Sequence, residues 1–255
     1  MPAEIRQFII ASDNFGVLLH DPSTGATASI DACQEEPILN ALNEAGWTLT
    51  HILVTHHHDD HIAGIPGLKA RTGARVIGPA KDQDRIPGMD RGLSEGDAVI
   101  VGSLGATVIE TPGHTRNHIN YHFPEERLLF SGDTLFSLGC GRLFEGSPAD
   151  MFKSLGKLAA LPDETRVYCG HEYTLSNARF ALTVDPDNAA LRARAAEVEQ
   201  LRAAGAFTLP TTIGREKATN PFLRAADPAV AAAVGMAGRS PLEVFTELRE
   251  RKNRA

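Results

Sequence analysis

Short apolar runs broken by glycine, proline and polar turn residues fill the first two thirds of the chain. They predict strands at 8–10, 16–20, 28–30, 52–54, 75–77, 98–101, 107–109, 119–123, 127–130 and 166–168. Between them, helical spacing appears at 37–45, 64–72 and 148–160. The last of these opens Ser147-Pro148 with Asp150 two residues on: an N-cap, a proline at the first helical position and an acid in the first turn. Strands mixed with helices in this way predict an α/β fold, with helices covering a sheet core.

Beyond about residue 172 the texture turns helical. Asp185-Pro186 opens an Ala/Arg/Glu-rich stretch that runs to about Ala204, with Gly205 as its stop, and Asp227-Pro228 precedes another helix. Ser240-Pro241-Leu242-Glu243 combines an N-cap, a proline and a capping-box glutamate before Val244-Phe245. The expected organisation is a layered domain over 1–172 and a helical C-terminal domain over 173–255.

Bulk properties narrow the function classes. A chain of 255 residues with 42% hydrophobic and 22% charged residues has ordinary globular composition. A formal charge of −7 and a pI near 5.8 argue against a nucleic-acid footprint. Cys33, Cys140 and Cys169 are odd in number, widely spaced and without a C-x-x-C pattern, which reads as free thiols in a reducing compartment. Glu4 and Asp13 interrupt any secretory h-region, and the longest small apolar run, 229–238, is half of the ~20 residues a bilayer requires. A cytoplasmic protein with no membrane partner is expected.

The chemistry concentrates in Thr55-His56-His57-His58-Asp59-Asp60-His61, directly after the apolar run 52–54. Read as His-x-His-x-Asp-His, it offers His56, His58, Asp60 and His61 as nitrogen and oxygen ligands. That donor set suits a catalytic zinc or similar ion, not a closed thiolate site. Three further ligand-type residues, His114, Asp133 and His171, each follow an apolar strand candidate and sit beside a glycine. Strand ends that open into loops are where layered α/β folds collect ligands.

Taken singly, these three have ordinary explanations: a hydrogen-bonded loop histidine, a capping aspartate, a structural histidine. Together with the first four they exceed one four-coordinate ion and suit two divalent ions sharing a carboxylate, with Asp133 as the bridge. Zinc is the default metal, and the ligands also accept iron or manganese. His57 alternates with the ligands and should point away from the metals. His20, His51 and His122 read as surface or strand residues. His118 and Asp31 stay open between supporting a ligand and having no role.

These residues resemble the metallo-β-lactamase superfamily, whose signature is His-x-His-x-Asp-His followed by a lone His, a bridging Asp and a final His. The resemblance implies an αββα sandwich. Other segments are more selective: Ser131-Gly132-Asp133-Thr134-Leu135-Phe136, the run from Gly139 to Gly146, Gly170-His171-Glu172-Tyr173-Thr174, Asn220-Pro221-Phe222-Leu223-Arg224 and the basic C-terminus resemble the glyoxalase II family.

That likeness implies hydrolysis of S-(2-hydroxyacyl)glutathione, chiefly S-D-lactoylglutathione, to D-lactate and glutathione, the second step of methylglyoxal detoxification. It further implies glutathione contacts from Arg142, Phe144 (through its peptide group), Tyr173, Arg249 and Lys252. Some relatives carry Lys and Tyr where this chain has Arg142 and Phe144, so a cation is kept and a hydroxyl is not. Arg249 and Lys252, three apart on a helix, are expected to converge on a carboxylate of the tripeptide. Asp60 and Asp133 are the catalytic candidates, Asp60 orienting a metal-activated water or carrying its proton. A small-molecule thioester partner and a monomer or weak homodimer complete the expectation.

Overall fold

β1 (Glu4–Ile10) and β2 (Asn14–Asp21) form an antiparallel hairpin, and β3 (Ala26–Ile30) extends it. In the computed structural model, which describes residues 2–255, this hairpin opens the first of two units, formed by the chain up to Glu110 together with Asn117–Gly132. β4 (Thr48–Leu53), β5 (Arg75–Pro79) and β6 (Arg91–Leu93) then add in parallel, so the sheet runs in chain order.

Parallel pairing demands crossovers. α1 (Glu35–Ala45) makes the first; α2 (Asp59–Ile62) and α3 (Ile65–Thr72) make the second. Ile38, Leu42, Ile65 and Leu68 from these helices pack with Leu49, Ile52 and Val76 of the sheet.

A second sheet in the same unit joins β7 (Ala98–Val101), β8 (Leu104–Glu110), β9 (Ile119–Phe123) and β10 (Leu128–Gly132) as an antiparallel meander. The Tyr121 hydroxyl of β9 donates to the Val54 carbonyl at 2.7 Å, and both Ser103 donors reach the Asp21 carboxylate, so the two sheets lie face to face. β4 is therefore covered on both sides, which is why Ile52 and Leu53 are equally buried and the strand reads as a continuous apolar run.

The register Ile30↔Leu53 brings the C-terminal ends of β3 and β4 to the same sheet edge. Asp31 and the His56–His61 segment leave from that edge.

The second unit comprises Thr111–Arg116 and Asp133–Ala255. It holds the hairpin of β11 (Leu135–Phe136) and β12 (Gly139–Cys140), α4 (Pro148–Ala159), and the pair β13 (Arg166–Cys169) and β14 (Thr211–Thr212). The helices α5 (Thr174–Val184), α6 (Ala189–Ala203), α7 (Ile213–Thr219), α8 (Pro228–Ala233) and α9 (Pro241–Arg254) complete it. Ala178 and Ala181 of α5 cluster with Leu191 and Ala195 of α6, the three alanines letting the two helices approach. Phe222 is buried between the rings of Phe180 and Phe245.

Ser240/Glu243 forms the predicted capping box, the predicted N-cap Ser147 closes a second one with Asp150, and Asp227 caps α8. Asp185 does not open a helix. It closes α5, its carboxylate accepts from Arg224 and Asn188, and α6 begins instead at Ala189 with Asn188 capping Leu191. The four strands absent from the sequence reading, β6, β11, β12 and β14, are two or three residues long and too short to show a period. His20 is a strand residue as expected but buried, stacked on Trp47. All three cysteines are free thiols, and among the described residues no helix is long and apolar enough to cross a membrane.

Candidate metal centre

In the first unit the chain leaves β4 extended, with His58 at φ −64° and ψ 144° before the single turn of α2. Extended backbone sends residues two apart to the same side. His56 and His58 accordingly turn their rings together, Nε2 to Nδ1 at 3.1 Å, and the His61 ring lies 4.1 Å from that of His56. His57 turns elsewhere, as alternation predicts, and its Nδ1 meets buried Asp82 at 3.1 Å.

Asp31 fixes the tautomers. Its carboxylate accepts from the Thr55 amide (2.7 Å) and the Thr55 hydroxyl (2.8 Å), and it faces His61 Nδ1 at 2.8 Å. A carboxylate accepts only, so His61 carries its proton on Nδ1 and keeps the Nε2 lone pair for a ligand role. The Thr55 hydroxyl, having donated to Asp31, accepts from His56 Nδ1 at 3.0 Å and fixes that ring in the same way. Asp31 adopts φ +57°, an uncommon conformation for a non-glycine residue, which lets it serve both partners. His118 stacks on His56 at 4.9 Å, placing it beside a ligand histidine. Asp60 lies with its Oδ2 3.7 Å from His61 Nε2 and accepts from Asn14 Nδ2 at 3.0 Å.

In the second unit Asp133 stands between two histidines. Its Oδ2 is 3.4 Å from His114 Nε2 and 3.4 Å from His171 Nε2. Ligand atoms ~2.0–2.1 Å from a tetrahedral ion are ~3.3–3.4 Å from one another. One oxygen at that spacing from two imidazoles is placed to share a metal with either of them. His114 Nδ1 donates to the Arg142 carbonyl at 2.8 Å, so its Nε2 also carries the lone pair. The His and Asp side chains gathered in each unit, His56, His58, Asp60 and His61 in the first and His114, Asp133 and His171 in the second, are of the kind that hold a metal ion.

The residues expected to contact substrate all lie in the second unit. Phe144 is 61% exposed, edge-on to His114 at 5.2 Å, and its backbone N–H donates to the His114 carbonyl. Tyr173, 38% exposed, stacks flat on His171 at 4.7 Å. Arg142 is exposed.

Arg249 is only 5% exposed: it donates to the Cys140 carbonyl at 2.9 Å and to Asn253, and lies over the Phe222 ring. Lys252 is half-buried, its Nζ at Ser176 and over the Phe180 ring, and burial followed by the Arg249 charge lowers its pKa. The two basic residues share a helix face, but only Lys252 presents its charged end to solvent.

Sequence reasoning missed Glu216, and quoted Asn220 only within a segment of family resemblance without giving it a role. The fully buried Glu216 carboxylate accepts from Ser137, the Leu138 amide, Thr211 and Asn220, while Asn220 also donates to the Phe136 and Gly139 carbonyls. Burial, outweighing these donors, raises the Glu216 pKa. Together they pin the β11–β12 hairpin that starts two residues after Asp133. Within Arg215-Glu216-Lys217, Glu216 reads as a solvated helix position; the nearest signal was the Asn220-to-Arg224 segment, quoted for its family resemblance. Asn14 and Asp82 gave no signal either, as each is a lone polar residue far in sequence from what it supports.

A profile described as the metallo-beta-lactamase superfamily matches residues 8–171, and one described as the hydroxyacylglutathione hydrolase C-terminus matches residues 172–255. A hydroxyacylglutathione hydrolase of Rhizobium etli is 60% identical over 252 residues, covering 99% of this chain and 98% of its own. The crystal structure of ETHE1 from Myxococcus xanthus is similar with a TM-score of 0.71 at 30% identity, over 98% of this chain and 91% of its own. TTHA1623, solved in a di-iron-bound form, is similar with a TM-score of 0.62 at 26% identity, over 86% of this chain and all (100%) of its own.

Proposed function

This chain belongs to the hydroxyacylglutathione hydrolase family of the metallo-beta-lactamase superfamily, and on that premise we propose that it hydrolyses the thioester of S-(2-hydroxyacyl)glutathione, chiefly S-D-lactoylglutathione, to D-lactate and glutathione. The observation that carries the reading is the single Asp133 oxygen at 3.4 Å from both His114 and His171. His56, His58 and His114 would hold one ion, Asp60, His61 and His171 the other, and Asp133 both. Zinc is the first choice. When bound, such a pair supplies a water acidic enough to attack at neutral pH and a Lewis acid for the thioester carbonyl.

The chain's own residues do the rest. Asp31 and Thr55 keep the lone pairs of His61 and His56 on Nε2, and the Arg142 carbonyl does so for His114. The Asp60 carboxylate, 48% exposed and 3.7 Å from His61 Nε2, would orient the attacking water or carry its proton while remaining a ligand. Phe144 and Tyr173 flank His114 and His171 as apolar walls for the acyl-thioester segment. Lys252 takes a carboxylate of the tripeptide, aided by Arg142. Buried Arg249 acts through the Cys140 carbonyl, holding the backbone that leads to Arg142. The glutathione thiolate departs without needing a general acid, being a far better leaving group than an amine.

We further propose a metal-binding domain over 1–172, which also carries Arg142 and Phe144, and a helical substrate-binding domain over 173–255 with Tyr173, Arg249 and Lys252, in a cytoplasmic monomer or weak homodimer that engages neither nucleic acid nor membrane. The test is turnover of S-D-lactoylglutathione by metal-replete protein, measured against a lactone, a β-lactam and an RNA. Preferred hydrolysis of the thioester is expected; its absence alongside turnover of another substrate overturns the proposal.

A further inference from the structure

Each of three candidate ligand histidines has a visible partner that fixes its orientation: Thr55 for His56, Asp31 for His61 and the Arg142 carbonyl for His114. Asp60 differs from them in a way that makes its orientation harder to hold. Its side chain is 48% exposed, against 3% for neighbouring His61, so solvent competes for the carboxylate and packing does little to restrict its rotamer. It also lies within a helix of only four residues.

Its carboxylate and its backbone carbonyl both accept from a buried side chain of β2. Asn14, 7% exposed at the start of β2, donates from Nδ2 to Asp60 Oδ2 at 3.0 Å and to the Asp60 backbone carbonyl at 3.3 Å. The oxygen it grips is the one 3.7 Å from His61 Nε2, close to the separation of two atoms ligating one ion. An amide hydrogen bonded to that oxygen fixes both the carboxylate and the backbone that carries it.

From this we infer that Asn14 is a positioning residue for the metal pair, holding Asp60 in its ligating rotamer and thereby setting how tightly the Asp60/His61 ion is bound relative to the His56/His58 ion. The inference rests on the two-ion reading given above. Asn14 touches neither ion nor substrate. It makes the retention of one ion depend on the β1–β2 hairpin, while the other is governed by Thr55 and its own strand. Supporting residues of this kind change metal affinity about 10–100-fold when removed.

The experiment titrates zinc from the holoprotein with a competing chelator, for wild type, Asn14→Leu and Asn14→Asp, with a urea unfolding midpoint recorded for each metal-free form. Wild type should release two equivalents in separate steps. Asn14→Leu keeps the shape without the donor, so one equivalent should be weakened about 10-fold and the other unchanged. Asn14→Asp, nearly isosteric but carrying a second carboxylate against Asp60, should weaken that same equivalent further.

A packing role predicts the reverse order, the isosteric Asp variant being the milder, and predicts both equivalents weakening together with the unfolding midpoint; either result overturns the inference. So does retention of wild-type affinity in both variants. A wild type that binds a single equivalent defeats the two-ion reading itself, an outcome distinguishable from these because no variant is needed to see it.

Discussion

Replacing Asp31 by Asn changes one atom of the residue that orients His61, and its cost follows from the three contacts of that carboxylate. At 2.7, 2.8 and 2.8 Å they come from the Thr55 amide, the Thr55 hydroxyl and His61 Nδ1. An asparagine turns one oxygen into a donor. Placed at the Oδ1 position, its NH2 faces the Thr55 amide, donor against donor. Placed at Oδ2, it faces His61 Nδ1 and is tolerated only if that proton moves to Nε2, which removes the lone pair needed for a metal. The Thr55 hydroxyl can turn and adapts to either arrangement.

One hydrogen bond to a charged group is lost in both placements, worth ~1.5–3 kcal/mol. At ~1.4 kcal/mol per factor of ten, the ion held by His61 should bind about 10–100-fold more weakly. Chelator competition reads this directly, and turnover of the hydroxyacylglutathione thioester should fall with occupancy and recover in excess zinc. Asp31→Gly relaxes the backbone at φ +57° but removes the carboxylate, so it should be no better at holding the ion. An Asp31→Asn protein that retains both equivalents at wild-type affinity would falsify the orienting role.

Two further outcomes follow from local geometry. Gly141→Ala would set a Cβ 2.0 Å from the Asp133 carbonyl oxygen, so backbone must move beside a candidate ligand. A cost of about 1–3 kcal/mol in urea unfolding is expected, with a loss of turnover larger than the unfolded fraction explains. The Ser147 hydroxyl and then its amide hold the Asp150 carboxyl below the usual carboxylate range. That capping contribution is complete above the ordinary carboxylate pKa of ~3.9 and is lost as pH falls through the depressed value. Asp150→Asn should therefore be less stable than wild type at neutral pH, with the gap closing in acid; a gap independent of pH refutes the assignment to the cap.

Much of this architecture was legible because its signals are local. The apolar runs, the proline-marked helix starts, the Ser147 N-cap and the Ser240/Glu243 capping box each lie within a few residues. The histidine cluster is a single heptapeptide whose alternation correctly turned His57 away from its neighbours. Interactions that join distant segments were not legible. Asn14 meets Asp60 across 46 residues, and Glu216 meets Ser137 across 79. Neither spacing leaves a periodic trace, and a buried glutamate in an Arg-Glu-Lys run looks like a solvated one. Asp31 lay between these cases: its nearness to Thr55 follows from parallel pairing of β3 and β4, a register no single strand encodes. Asp185 misled because Asp-Pro is a strong opening signal that the carboxylate's commitment to Arg224 overrides.

The Glu216–Asn220 hub has a consequence for the order of biosynthesis. Chains emerge from the ribosome N-terminus first, so the hairpin after Asp133 leaves the tunnel some 80 residues before the side chains that pin it. Until α7 has been made, the Phe136 and Gly139 carbonyls and the Leu138 amide lack their native partners. A nascent chain interrupted before residue 216 would thus display every candidate metal ligand and still lack the frame that sets Asp133. The helical tail is in this sense a late-acting template for the segment upstream, and a shortened product would be defective at its metal-binding end despite an unaltered N-terminal sequence.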